Sequence, residues 1–97
     1  MKRAVRVHPR DDVCTVLEDV LPGEPVDYGG GTPLPAAEAI PAGHKAALRP
    51  LRPGEIVRKY GYPIGRTTGP VPAGGWVHEH NMTSPGPGGD DHGLSGI

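Results

Sequence analysis

The chain has no phenylalanine, one tryptophan and three tyrosines in 97 residues. A domain of this length has a thin core, and without large aromatics that core must come from Val, Ile, Leu and Ala. A deep pocket walled by this chain alone is not expected, so a complete active site would form at an interface with another chain. There is a single cysteine, Cys14, which excludes an intrachain disulfide and reads as a small buried hydrophobe. There is no excess of either charge: the formal net charge is −1. Without a basic stripe, nucleic acid is not an expected partner. No apolar run approaches the roughly 18 residues of a membrane-spanning helix, so no membrane partner is expected. The start, Met1-Lys2-Arg3-Ala4-Val5-Arg6, carries charge but no apolar stretch, unlike a secretory signal. These features together point to the cytoplasm.

What the chain does have is glycine and proline, 16 and 13 residues. Such a content is common in disordered chains, but here it punctuates short apolar segments at regular positions. Leu21-Pro22-Gly23-Glu24-Pro25-Val26 matches Arg52-Pro53-Gly54-Glu55-Ile56-Val57 at a spacing of 31, and Ile40-Pro41-Ala42-Gly43 matches Val71-Pro72-Ala73-Gly74 at the same spacing. Pro presets φ and Gly accepts positive φ, so each motif reads as a turn that delivers the chain into a strand. Two such copies suit two similar β-units wrapped around a shared core. Strands are expected at Arg3–Val7 (with Val5 and Val7 on one face), Val13–Leu17, Val26–Tyr28, His44–Leu48, Ile56–Tyr60, Ile64–Thr68 and Trp76–His80. The glycine run Gly29-Gly30-Gly31 reads as a hairpin or tip. No segment has a 3.6-residue apolar period, and the proline spacing forbids long helices. The expected fold is all-β, with short strands and Gly/Pro turns, over residues 1–82. Residues 83–97 offer almost nothing to bury and read as a mobile tail.

The chemistry-bearing residues sit at turns. His78-Glu79-His80-Asn81 follows Trp76-Val77. On an extended strand, His78 and His80 would share one face and Glu79 the other. Such a pair suits a metal, an anion or proton transfer; the alternative is two imidazoles satisfied by backbone hydrogen bonds at a strand end. A three-ligand metal site needs another donor, and His44, directly after Gly43, is the candidate. Lys45 could meet a substrate carboxylate or simply be solvated. Lys59 and Tyr60 enter a turn set by Gly61 and Pro63, where Lys59 could instead shield an edge strand and Tyr60 serve as a core aromatic. Taken together, these turn-adjacent side chains favour one anion-facing rim.

Three segments, Gly43-His44-Lys45, Lys59-Tyr60-Gly61-Tyr62-Pro63-Ile64-Gly65 and Val77-His78-Glu79-His80-Asn81, resemble the SAF domain of the altronate/galactarate dehydratase family. The resemblance runs from about Val7 to Asn81. It implies a small β-clip (SAF) domain that either precedes a large catalytic domain or stands as a separate small subunit. This chain stops soon after Asn81 and looks like the separate form. By the same resemblance, the implied activity is a hydro-lyase acting on sugar acids such as altronate or galactarate, with a divalent metal, iron or manganese, in the assembled enzyme. A related two-subunit branch eliminates sulfite from sulfolactate. His44, Lys45, Lys59, His78, His80 and Asn81 match the family's motif positions. His78 and His80 are the candidates for catalysis, Lys45, Lys59, Tyr60 and Asn81 for substrate binding, and His44, His78 and His80 for metal. Asn81 would orient a metal-binding imidazole or donate to substrate. The implied partners are a large catalytic subunit and a sugar acid, with a homo-oligomer as a further expectation. A different class remains open: SAF-like domains also serve as non-catalytic binding or assembly modules.

Overall fold

The structure is a computed structural model that describes residues Met1–Thr83. It is all-β, with nine strands and no helix among the described residues: β1 (Lys2–Val5), β2 (Val13–Val16), β3 (Pro25–Asp27), β4 (Leu34–Pro35), β5 (Lys45–Ala47), β6 (Ile56–Lys59), β7 (Tyr62–Thr67), β8 (Trp76–Val77) and β9 (Met82–Thr83). No helix there is long and apolar enough to cross a membrane. Six strands form one sheet in the order β4-β3-β1-β2-β5-β8, and three form another in the order β6-β7-β9. β1 and β3 are parallel; the other pairs are antiparallel.

The 31-residue repeat is a repeat of backbone hydrogen bonds. The Leu21 amide donates to the Glu24 carboxylate at 2.8 Å, and the Arg52 amide donates to the Glu55 carboxylate at 2.6 Å. The Gly23 amide donates to the Ala36 carbonyl, as Gly54 does to Thr67. Gly43 donates to Val16, as Gly74 does to Ala47. The bridge Val20–Ile40 recurs as Leu51–Val71. The four turn glycines take equivalent left-handed conformations, with φ 84° at Gly23, 82° at Gly54, 86° at Gly43 and 81° at Gly74. A residue with a Cβ resists that region, which is why glycine recurs there.

Each copy buries its own apolar cluster, where the sequence suggests one shared core. The first holds Cys14, Val16, Val20, Val26, Leu34, Ala36, Ile40 and Ala46. The second holds Val13, Ala47, Leu51, Val57, Val71 and Val77. Ala46 and Ala47, adjacent on β5, face different clusters because side chains alternate along a strand, so β5 joins the two. Cys14 is buried, and burial pushes its thiol up to about 11, as suits a small core residue.

Two expectations change. Along β1 it is Ala4 that packs on the first cluster, while Val5 and Val7 are exposed. The period-two pattern was right, but the polar-looking face is the inner one, where Lys2 lies 4.0 Å from Glu24. The last strand is shorter than Trp76–His80, since β8 ends at Val77. Met82 and Thr83 then pair with β7 at Thr67 and Arg66, so ordered pairing reaches Thr83. The rest of the expected tail, residues 84–97, lies outside the described residues.

Candidate active-site cleft

All three motifs supply walls to one open cleft of about 550 Å³, lined by Lys45, Ile64, His78, Glu79, Met82 and Thr83. Lys45 comes from the G-H-K segment at the start of β5, Ile64 from the K-Y-G-Y-P-I-G segment on β7, and His78 and Glu79 from the H-E-H-N segment after β8. β5 and β8 are paired with Lys45 opposite Val77, which brings the first and third motifs together. Lys59, at the end of β6, lies close enough that its charge acts on Lys45. Burial holds the Lys45 ammonium below the ordinary lysine range, and the charge of Lys59 pushes the same way. Among the described residues, neither lysine forms an ion pair. An ammonium at the cleft wall with a second lysine charge acting on it, neither of them in an ion pair, gives this side a local positive potential, with the exposed Glu79 as the acidic group in the same wall.

His78 and His80 lie on a turn, not on one face of a strand. Asn81 causes this. Its side-chain oxygen accepts from the His78 amide at 2.9 Å, its Nδ2 donates to the Trp76 carbonyl at 2.7 Å, and its own amide donates to the His78 carbonyl at 3.0 Å. An asparagine that captures backbone groups three and five residues away ends a strand and sets a turn. Both polar ends of the Asn81 amide are engaged in this turn, so its visible work is to aim His78. The turn also swings Glu79 into the cleft wall, on the side from which strict alternation would exclude it. The sequence signal for this was the Asn three residues after His78.

The rings of His44, Trp76, His78 and His80 form one aromatic cluster. Trp76 stacks on His78 at 5.5 Å and 18°, and His44 meets Trp76 edge-on at 5.2 Å and His78 at 5.0 Å. His80 lies 5.5 Å from Trp76 and 6.4 Å from His78, and it is exposed. Such contacts favour ring packing. Among the described residues, no group of three or more His, Cys, Asp or Glu is arranged to hold a metal ion. The predicted trio His44, His78 and His80 is thus brought together as packed rings, and these residues do not fit a complete metal centre by themselves. Tyr60 is 52% exposed with the Lys59 ammonium 4.8 Å above its ring, a cation–π contact rather than a core position. Glu38, from the first copy, accepts from the Trp76 amide at 3.0 Å and fixes the cluster's base; nothing in the sequence singled it out.

A family model for the altronate/galactarate dehydratase SAF domain matches residues 2–85. The chain belongs to that family. It is 32% identical over 81 residues to altronate dehydratase of Bacillus subtilis, a match covering 84% of this chain and 16% of that protein. It is 34% identical over 82 residues to galactarate dehydratase (L-threo-forming) of Escherichia coli, covering 84% of this chain and 15% of that protein. It is 37% identical over 83 residues to (2R)-sulfolactate sulfo-lyase subunit alpha of Chromohalobacter salexigens, covering 78% of this chain and 88% of that protein. The relatives named are therefore lyases. This chain spans a small part of the two dehydratases and most of the sulfo-lyase subunit.

Proposed function

We propose that this chain is the small subunit of a hydro-lyase acting on a sugar acid, and that it completes the active site of a separate large catalytic chain in the cytoplasm. The observation that carries the reading is the convergence of all three motifs on one cleft, whose wall carries the Lys45 ammonium outside any ion pair. Removing water from a hydroxy acid begins with loss of a weakly acidic proton beside the carboxylate, and negative charge then grows on that carboxylate. Fixed cations aimed at it lower the barrier. Lys45 and Lys59 are the candidates for that role. An imidazole near neutrality can take the proton or return one to the departing hydroxyl. His78, aimed by Asn81 and braced against Trp76, faces the cleft for this purpose, and His80 stands at its margin. An iron or manganese ion belongs to the family resemblance, but no step is assigned to one, because the described donors do not form its site.

The long dehydratase relatives carry this domain as a small fraction of their length, and the sulfo-lyase relative is a subunit of nearly this size. The match over most of the sulfo-lyase subunit favours sulfolactate as the second substrate to test. The deciding experiment mixes the purified chain with the large subunit encoded beside it and assays 2-keto-3-deoxy acid release from hexonates and hexarates, and sulfite release from sulfolactate. Activity is expected only in the mixture, and the His78→Ala chain should lower kcat by about 10²–10⁴-fold, the usual contribution of an acid–base group. Full activity of the His78→Ala and His80→Ala chains would remove both from the mechanism.

A further inference from the structure

Asp11 lies far from the three motifs in sequence, yet it is one of the two buried polar or charged residues among those described, at 7% exposure. Its Oδ1 accepts from the Gly61 amide at 2.8 Å, and its Oδ2 accepts from the His8 amide at 3.1 Å. The His8 ring packs over Gly61 so closely that a Cβ there would sit 3.0 Å from His8 Cδ2. Asp12, next in the chain, holds the same hairpin from below: its amide donates to the Arg58 carbonyl at 3.0 Å, and its Oδ2 accepts from the Arg58 amide at 2.8 Å. The tip so gripped contains Tyr60, the one non-glycine residue with positive φ among those described, at 57°. A side-chain-bearing residue adopts that conformation at a cost and persists in it only when its surroundings impose it.

The equivalent position in the first copy shows what happens without a grip. Gly29, 31 residues before Tyr60, has φ 90°, and its amide bonds locally to Asp27 at 2.9 Å. There a glycine adopts the left-handed turn freely. In the second copy the turn is forced on a tyrosine and a distant carboxylate holds it. The consequence falls on Lys59, whose ammonium lies 4.8 Å over the Tyr60 ring and whose charge reaches Lys45.

We infer that Asp11 is a positioning residue: its carboxylate pins the Lys59-Tyr60-Gly61 tip and so holds the Lys59 ammonium over the Tyr60 ring, next to the motif that walls the cleft. The inference rests on the reading of the cleft as a substrate site, but the pinning can be tested without it. Burial pushes Asp11 up, and the Gly61, Tyr60 and His8 amides with the nearby His8 charge more than reverse this, so the carboxyl sits below its ordinary range. The group is therefore ionised, as a charge-assisted acceptor requires.

The test uses the full 97-residue chain, isotopically labelled, as wild type, Asp11→Ala and Asp11→Asn. In the Ala chain, the Gly61 amide should exchange with solvent about tenfold faster relative to the β2 amides, the loss expected for one charge-assisted hydrogen bond. The Asn chain should fall between wild type and Ala. Adding Tyr60→Gly to the Asp11→Ala chain should recover part of the lost protection, because a glycine tip needs no external hold. Unchanged Gly61 exchange in the Asp11→Ala chain would overturn the proposal. So would an Asp11→Asn chain that fails to fold, since a role confined to the tip leaves the rest standing. With the large subunit, Asp11→Ala should raise KM for the acid about tenfold while kcat stays within about threefold, the signature of lost binding rather than lost chemistry. If no acid is turned over by the wild-type mixture, the functional reading falls, and the exchange results still decide the pinning.

Discussion

The two copies of the repeat share a hydrogen-bond frame and differ in what hangs on it. In the first, the hairpin between β3 and β4 has the glycine run Gly29-Gly30-Gly31 at its tip, and the buried position after it is Ala36. In the second, the equivalent hairpin carries Lys59, Tyr60, Tyr62 and Ile64, and the buried position is Thr67. The first copy supplies scaffolding: Pro35 backs Gly74, and Glu38 caps the Trp76 amide. The second presents side chains to the cleft. A duplicated frame can thus keep one half plain and load the other with strain and charge, provided the plain half braces it.

That comparison can be broken most severely at Gly43 and Gly74, which are equivalent in backbone and opposite in surroundings. A Cβ at Gly74 would lie 2.1 Å from the Pro35 carbonyl oxygen, whereas one at Gly43 would meet nothing within 4 Å. Gly74→Ala should therefore cost more than about 4 kcal/mol and leave the chain largely unfolded, while Gly43→Ala should cost only the roughly 1 kcal/mol of a left-handed alanine; urea unfolding measures both. Comparable costs at the two sites would mean that the first copy does not brace the second.

A middling effect is expected from making the second copy resemble the first. The Thr67 hydroxyl donates to the Arg52 carbonyl and accepts from the Glu55 amide at 2.9 Å. Thr67→Ala should destabilise by about 1–2 kcal/mol, the cost of a buried pair of lost hydrogen bonds, although Ala36 serves without loss in the first copy. The smallest effect concerns acid. The folded-state pKa of Asp11 is depressed, so its contribution to stability is complete above the ordinary carboxylate value of 3.8 and disappears as pH falls through its lower folded value. Amide exchange at Gly61 should accelerate on acidification through that range more than exchange at Gly29, after correction for intrinsic rates, and the Asp11→Asn chain should lose the difference.

The repeat, its turn glycines and the all-β character were legible because each rests on local rules: proline and glycine at fixed offsets, and apolar residues at period two. The three motifs could be singled out from residue type, and they do meet in one cleft. What escaped were effects that act across space. His78 and His80 leave the strand because the Asn81 side chain captures backbone that a strand would have used. Val5 and Val7 point outward because β1 packs through Ala4, a choice that two alternating faces of mixed character do not reveal. The bond between Asp11 and Gly61 spans 50 residues, beyond any local pattern. The indole of Trp76 packing among His44, His78 and His80 is likewise a long-range arrangement, one that residue spacing does not reveal.

The position of that indole has a further use. Trp76 is the chain's only tryptophan, and its ring lies within 5.5 Å of three imidazoles, one of which lines the cleft. The molecule therefore carries its own optical gauge, one whose emission reports any rearrangement of the rings packed around it, with no dye attached.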